Sequence, residues 1–356
     1  GCSALLHRML NNDYPEAWYT DFDDPRLGGF DAGDFTKLDR LLEESGKGIA
    51  LFNRIDLAAG WIEFCDRKIR QGIKIVSTVS LETLLRLAKA ERPHGTDIFS
   101  LRRLDLFSYN EFLSFTHKPA GEQAVNEFLS RGAFPGLIKT GHTEALHQLY
   151  TEILCKDAVI AGGIRDRNTL QRMALHLITN TGEPVTANKL REKLKIKAVS
   201  TAAEHMQCIE TAELVRFVSI LSDNPARQSV NPRKVYAVDT ALAAAVSTAE
   251  TVDRNKLFET MLFNHLCRES RSVCYTNEQG GCDFIASDAE GGVRCIQACY
   301  DDDPDLMQTK TDGLLWALRQ TGASRGTIVT ADRNDRIDAE NFEIEVIDAD
   351  TFLGGY

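Results

Sequence analysis

Hydrophobic and polar positions along this chain fall into blocks whose period changes several times. Over residues 1 to about 116, helical and strand spacing alternate. Ser3–Asn11 reads as a helix, and Ala17–Phe22 as a strand that turns at Asp23-Asp24-Pro25-Arg26. Phe35–Ser45 predicts an amphipathic helix with Leu38, Leu41 and Leu42 on one face. The short apolar runs Gly48–Phe52 and Ile73–Thr78 fit strands buried on both faces of a parallel sheet. Helices are expected at Trp61–Gln71 and Leu81–Ala90, and Asp97–Leu106 is expected to end on another strand. Such alternation implies a parallel sheet covered by helices.

Beyond residue 108 the pattern becomes mostly helical up to about Arg165, broken at Gly132-Ala133-Phe134-Pro135-Gly136. Residues 168 to 240 read helix, helix, helix, strand, strand: Asn168–Thr179, Thr186–Leu194 with Thr186 as N-cap, Ser200–Ala212, Leu214–Leu221 and Lys234–Val238. That order predicts a winged helix-turn-helix. Ala243–Arg254 reads as a linker. The remainder predicts a mixed α/β domain: helix Lys256–Glu269, strands Val273–Tyr275, Asp283–Ala286 and Val293–Ala298, helix Leu306–Thr321, and strands Gly326–Val329 and Glu343–Ile347.

A length of 356 residues allows two or three domains. No stretch approaches the roughly 18 uninterrupted apolar residues of a membrane span, so no membrane partner is expected. The nine cysteines lack paired C-x-x-C spacing and have no His near enough to complete a zinc site. They read as reduced thiols of a cytoplasmic protein, and no structural metal is expected. There is no initiator Met and no signal peptide. The chain reads as starting inside an element, with a strand expected upstream.

Charge is unevenly spread. The whole chain carries −11, which argues against wrapping nucleic acid with its entire surface. Residues 166 to 240 nevertheless hold 11 Lys/Arg against 8 Asp/Glu. Lys189, Arg191, Lys193, Lys195 and Lys197 cluster on the second helix of the helix-turn-helix and its turn, and Arg227, Arg233 and Lys234 flank the wing. The expected reading helix offers Ser200, Thr201, Glu204, His205 and Gln207, with no Arg or Lys, which favours weak, phosphate-led DNA contact. Packing against protein is the alternative use of such a module. Residues 255 to 356 hold 9 Lys/Arg against 19 Asp/Glu, a surface that repels phosphate.

Several motifs recur in a definite order. Gly1-Cys2-Ser3-Ala4-Leu5-Leu6 could be the end of a phosphate-binding loop and the start of its helix. Leu51-Phe52-Asn53-Arg54 through Gly60-Trp61 follows about fifty residues later. Then come Val76-Ser77-Thr78-Val79-Ser80, Leu106-Phe107-Ser108-Tyr109-Asn110-Glu111-Phe112, Gly132-Ala133-Phe134-Pro135, and Lys234-Val235-Tyr236-Ala237-Val238-Asp239. Together they resemble, almost end to end, the prokaryotic ATPase family that joins an AAA-type P-loop core to a winged helix and a C-terminal domain of unknown function resembling PD-(D/E)XK nucleases.

That resemblance implies an α/β protein in four parts: a P-loop (RecA/AAA-like) core over residues 1–116, incomplete at its N-terminus, with a parallel sheet and helices on both faces; a helical connector over 117–165; a winged helix-turn-helix over 166–242; and a small restriction-endonuclease-like α/β domain over 255–356. It implies ATP with Mg2+ as ligand, around Gly1, Cys2, Ser3, Ala4, Asn53, Arg54 and Ser80. The departures bear on the chemistry. Cys2 stands where the family has its phosphate-neutralising Lys. Asn53 replaces the magnesium-binding acid of the Walker B strand, and Arg54 the water-activating glutamate. Val79 replaces a sensor-strand glycine, and Thr96 an arginine able to face a γ-phosphate. ATP is therefore expected to bind weakly or not at all, and no residue is assigned a catalytic role.

The C-terminal part departs similarly. Glu259 fits the helix acid of a PD-(D/E)XK site and Asp283 the strand acid. Gln297 and Cys299 stand where Glu-x-Lys would complete metal binding and water activation. These four read as a remnant. The resulting expectation is a non-hydrolysing scaffold or regulator with weak DNA contact and an unidentified protein partner. The alternatives are an active ATPase and a DNA-binding regulator that uses no nucleotide.

Overall fold

A computed structural model of the chain describes residues 1–89, 99–140, 143–155, 164, 166–222, 231–247, 253–278, 280–301, 303–339 and 341–355. The chain divides into two compact units, Gly1–Leu106 and Phe107–Tyr356. Both are mixtures of helix and strand.

In the first unit, helix α1 (Cys2–Arg8) runs into a π-helical turn, Met9–Asp13. Then follow β1 (Trp18–Asp21), α2 (Phe35–Ser45), β2 (Ile49–Asn53), α3 (Trp61–Arg70), β3 (Lys74–Ser77) and α4 (Leu81–Lys89). The strands pair in the order β1-β2-β3, both pairs parallel, with Asp21 opposite Asn53 and Phe52 opposite Ser77. Parallel neighbours need crossovers, and α2 and α3 supply them. Strand β2 is apolar from Ile49 to Phe52 because both of its faces are covered. Ala50 and Phe52 pack with Phe22, Phe35, Leu38, Leu42 and Phe64, while Leu51 packs with Leu6 of α1. Phe35 stacks on Phe64 at 4.4 Å between ring centroids. Lys68 of α3 is buried but paired with Asp39 and Glu43 of α2, so its charge is compensated. The strand expected to end at Leu106 is not formed over residues 99–106.

Among the described residues, the second unit opens with four helices, α5 (Tyr109–Thr116), α6 (Glu122–Arg131), α7 (Pro135–Thr140) and α8 (Thr143–Ile153). Ser108 and Glu111 make a reciprocal capping box at the start of α5. Next come α9 (Arg167–Thr179), β4 (Pro184–Val185), α10 (Ala187–Leu194), α11 (Val199–Thr211), β5 (Val215–Val218) and β6 (Arg233–Ala237). Thr186 caps α10 through its hydroxyl, as its position before an apolar-periodic run implies. The three strands form an antiparallel sheet in the order β4-β6-β5. The segment expected to be a linker is in part a helix, α12 (Thr240–Val246), capped by Asp239 and buried through Ala241, Leu242, Ala243 and Val246.

Helix α13 (Arg254–Glu269) leads into β7 (Ser272–Thr276), β8 (Cys282–Ser287), β9 (Val293–Cys299), α14 (Pro304–Thr321), β10 (Arg325–Thr330), β11 (Asp335–Ala339), β12 (Phe342–Asp348) and α15 (Ala349–Gly354). The strands form a mixed sheet in the order β11-β12-β10-β9-β8-β7, with β10 parallel to both β9 and β12. Its central strands alternate between two cores. Ile296, Ala298, Val329 and Ile347 face the cluster that holds Phe258 and Leu262 of α13. Cys295, Cys299, Ile328 and Val346 face Leu314 and Leu318 of α14. The first of these clusters also takes in Phe128 of α6 and Met206 of α11, so residues 117–165, 166–242 and 255–356 contribute to one continuous interior. A parallel bridge between Ile220 and Tyr275 extends this continuity to the backbone: Leu221 N–H donates to the Tyr275 carbonyl at 2.7 Å, and Tyr275 N–H to that of Ser219 at 3.2 Å.

Candidate functional site

Two polar constellations form at the sequence-designated residues, one in each unit. In the first unit the C-terminal end of β2 carries Asn53, which is buried. Its side-chain oxygen accepts hydrogen bonds from Ser3 Oγ at 3.2 Å and Thr78 Oγ1 at 2.8 Å. Its nitrogen donates to Asp21 Oδ1 at 2.8 Å. The start of α1, the ends of β1 and β2 and the residue after β3 thus meet at one amide. Gly1 is the N-cap of α1; Cys2 is half-buried and Ala4 exposed.

The following residue, Arg54, adopts a left-handed backbone, φ 50°. Its N–H donates to Thr78 Oγ1 at 2.9 Å, and its guanidinium turns back onto Asp56 at 3.2 Å. Asp56 also accepts from Ser80 N–H at 2.9 Å and from Thr83 Oγ1 at 3.2 Å. Ser80 is therefore coupled to Arg54 through Asp56, a residue the sequence reading did not single out. Asp21 was missed too, and its position opposite Asn53 follows only from strand register. Magnesium prefers an octahedron of hard oxygens. Asn53 is neutral, its oxygen already receives two hydroxyls, and its nitrogen faces the nearby carboxylate. Position 53 as built does not fit the metal that the resemblance implies there.

The second constellation lies in the second unit and joins four elements. Lys234 and Tyr236 stand two apart on β6 and so share a face. Lys234 Nζ lies 2.8 Å from Glu259 Oε1 on α13 and 3.2 Å from Asp283 Oδ1 on β8. Tyr236 donates its hydroxyl to Glu259 Oε1 at 2.5 Å. Lys310 of α14 pairs with Asp283 Oδ2 at 2.5 Å, and the same oxygen accepts Ala298 N–H at 3.1 Å. Burial alone would make Asp283 hard to ionise, but Lys310 and then Lys234 outweigh it and hold its carboxyl at about 2. Burial pulls the Lys234 ammonium down, yet Asp283 and Glu259 raise it above the ordinary lysine value. Burial, followed by the charges of Glu259 and Asp283, pushes the Tyr236 phenol well above its usual range.

Gln297 is fully buried and fully engaged. Its oxygen accepts Asp283 N–H at 3.0 Å, and its nitrogen donates to the carbonyls of Gly281 at 2.8 Å and Lys310 at 3.0 Å. Cys299 stands apart in the apolar cluster under α14, its thiol directed at the Asp301 carbonyl. Glu259, Asp283 and Gln297 are thus brought together and Cys299 is not. Two lysines, 49 and 27 residues from Asp283 in the chain, complete the group. Among the described residues, no group of three or more His, Cys, Asp or Glu side chains could hold a metal ion.

Lys234 was expected on a DNA-facing wing; its engagement with Glu259 and Asp283 corrects that reading. The other basic residues divide. Lys189, Lys193, Lys195 and Lys197 are exposed on α10 and the turn after it. Arg191 is half-buried and bonded to Asn188 and Glu192. Arg233 lies over the Phe217 ring at 4.6 Å. Arg227 lies outside the described residues. On α11, Ser200, Glu204 and Gln207 are exposed and Thr201 is half-buried. His205 was expected to face outward but is buried, because it falls on the same helical face as Ala202 and Ile209.

Asp239, the last residue of the Lys-x-Tyr-x-x-Asp motif, has a different task. Its carboxylate caps α12 through Leu242 N–H at 2.8 Å and accepts Ala133 N–H at 2.6 Å. Burial raises its carboxyl to about 6, although the N–H groups of Ala133, Leu242 and Ala241 pull the other way.

Residues 122–253 match the model of a family described as a domain of unknown function (DUF8612). The matched stretch runs from α6 to the Asp253 cap of α13 and includes the Ala133–Asp239 contact and the α10–α11 pair. No curated protein matches the chain.

Proposed function

We propose that this chain is an ATPase-family protein that works by binding, as a scaffold or regulator, and that its N-terminal unit does not hydrolyse ATP. The observation that carries this reading is the closed hydrogen-bond set of Asn53 with Ser3, Thr78 and Asp21. Phosphoryl transfer relies on metal ions and fixed charges to neutralise the transferring group, and on a positioned group to orient the nucleophile. A neutral amide bonded to its neighbours supplies neither. Arg54 brings a positive charge to the position of the base, and that charge is directed onto Asp56.

The test is ATP titration by calorimetry with and without Mg2+, alongside phosphate release. Binding, if detected, should be weak and little changed by Mg2+, with turnover at background. Robust turnover that Ser3→Ala abolishes would establish the rival reading, an active ATPase.

DNA contact is a second role, supported by the exposed row Lys189, Lys193, Lys195 and Lys197. Such a row meets phosphates without selecting sequence. For residues 255–356 we expect no nuclease activity, since Gln297 and Cys299 stand where Glu-x-Lys would complete metal binding and water activation.

A further inference from the structure

Glu259 and Asp283 bring two carboxylates together where a nuclease-like resemblance would seat a divalent cation. Three observations bear on what neutralises them. A single nitrogen, Lys234 Nζ, bridges Glu259 Oε1 and Asp283 Oδ1. The other Asp283 oxygen is taken by Lys310 and by the Ala298 N–H. Gln297, the next available oxygen donor, already receives Asp283 N–H. Two ammonium groups thus balance two carboxylates, in a cluster whose side chains are each at least four-fifths buried.

We propose that Lys234 is a built-in counter-ion that takes the place of a divalent metal between Glu259 and Asp283, so that this cluster holds β6, α13, β8 and α14 together and excludes metal while the lysine is present. The physics is that of charge balance at low dielectric. A divalent ion entering beside Lys234 and Lys310 would meet two positive charges within a few ångströms, where repulsion is much stronger than in water. It would also need several oxygen ligands, and Glu259 Oε1, both Asp283 carboxylate oxygens and the Gln297 side-chain oxygen are already bonded to amines, a phenol or backbone N–H groups. Removing the Lys234 charge reverses the balance. Two buried carboxylates would then share Lys310 alone, and the space between Glu259 Oε1 and Asp283 Oδ1 would be open to a cation.

The experiment is Mn2+ titration of the full chain near neutral pH, following free Mn2+ by electron paramagnetic resonance. The wild type should bind no more Mn2+ than Asp283→Asn. Lys234→Met, a neutral side chain of similar reach, should bind one equivalent at least ten-fold more tightly than the wild type. Lys234→Met combined with Asp283→Asn should lose that gain. Thermal melting gives a second readout: Lys234→Met should melt lower than the wild type and recover in Mn2+, while the wild type and the double variant should not shift.

Stoichiometric Mn2+ binding by the wild type that Asp283→Asn removes would overturn the proposal. So would a Lys234→Met protein with native near-ultraviolet circular dichroism and no gain in binding. Should Lys234→Met not fold, Lys310→Met tests the same balance from the other amine, and the wild-type titration still decides whether the cluster excludes metal.

Discussion

The carboxylate of Asp239 occupies the space that a side chain at position 132 would need. A Cβ built on Gly132 would lie 2.4 Å from both carboxylate oxygens, and Gly132 also has a positive φ of 69°. Glycine meets both demands, the backbone conformation and the close approach. Gly132→Ala should therefore destabilise the second unit by about 2–3 kcal/mol, combining backbone strain with overpacking. Urea unfolding followed by circular dichroism would measure it, and a loss below about 0.5 kcal/mol would mean the turn can shift without cost.

Asp239 itself should be visible in the pH dependence of stability. Its carboxyl is raised from 3.8 to about 6 in the folded state. A carboxyl raised on folding holds its proton more tightly when folded, so stability falls as pH rises from about 4 through about 6. Asp239→Asn should flatten that window while weakening the cap of α12. Carbon-13 detection of the Asp239 carboxyl should place its midpoint near 6, and a midpoint near 4 would refute the expectation.

Asp283 has the opposite sign. Its carboxyl is lowered from 3.8 to about 2, so its contribution is present above pH about 4 and lost as pH falls through about 2. The amount is on the order of 2 kcal/mol. Lys310→Met should shrink this acid-sensitive step, because Lys310 is the largest charge lowering the Asp283 carboxyl. Melting temperatures between pH 5 and pH 2 would show whether the step depends on Lys310.

Gly313, inside α14, sets helix propensity against packing. Its added Cβ would lie 2.0 Å from the Gly281 carbonyl oxygen, which is backbone and cannot rotate away. Alanine would gain about 1 kcal/mol in helix propensity. Overpacking should cost about 1–3 kcal/mol and disturb the Gln297 hydrogen bond to that carbonyl. A net loss in thermal stability is expected; a rise in melting temperature would mean that propensity wins.

For DNA, changing Lys189, Lys193 and Lys197 together to Ala should weaken binding to all sequences alike. The slope of log affinity against log salt should fall by roughly 0.9 for each lost phosphate contact. Fluorescence anisotropy with two unrelated duplexes would test this. No binding by the unmodified chain at low salt would leave the α10–α11 pair as a packing element.

Much of the fold was readable where burial imposes a clear period. Phe35–Ser45 came out with its boundaries intact, since Leu38 and Leu42 mark the buried stripe and Gly46 ends the helix with a positive φ, whereas Leu41, expected on the same face, is exposed. Helix α12 was hidden because Ala243-Ala244-Ala245 gives no contrast between faces; Asp239 before Thr240-Ala241-Leu242 was the available capping signal. Strand β11 escaped because it is an edge strand in which Asp335, Arg336 and Asp338 are exposed. Of the charged cluster, the nuclease-like resemblance pointed to Glu259, Asp283 and Gln297. It sought the lysine on the strand of Gln297, whereas the structure brings lysines from β6 and α14. Sequence distance carries no information on such meetings when each partner belongs to a different element.

The Ile220–Tyr275 bridge bears on how this protein could be divided or recombined. It satisfies part of the outer edge of β7, which would otherwise present unpaired backbone to other chains. A fragment lacking residues 166–242 would expose that edge and leave Glu259 and Asp283 without one of their amines. A fragment ending at residue 242 would expose the apolar surface now facing Phe258 and Phe263. Neither half is a portable part, and a fusion protein that borrows the α10–α11 pair should carry the six-stranded sheet with it.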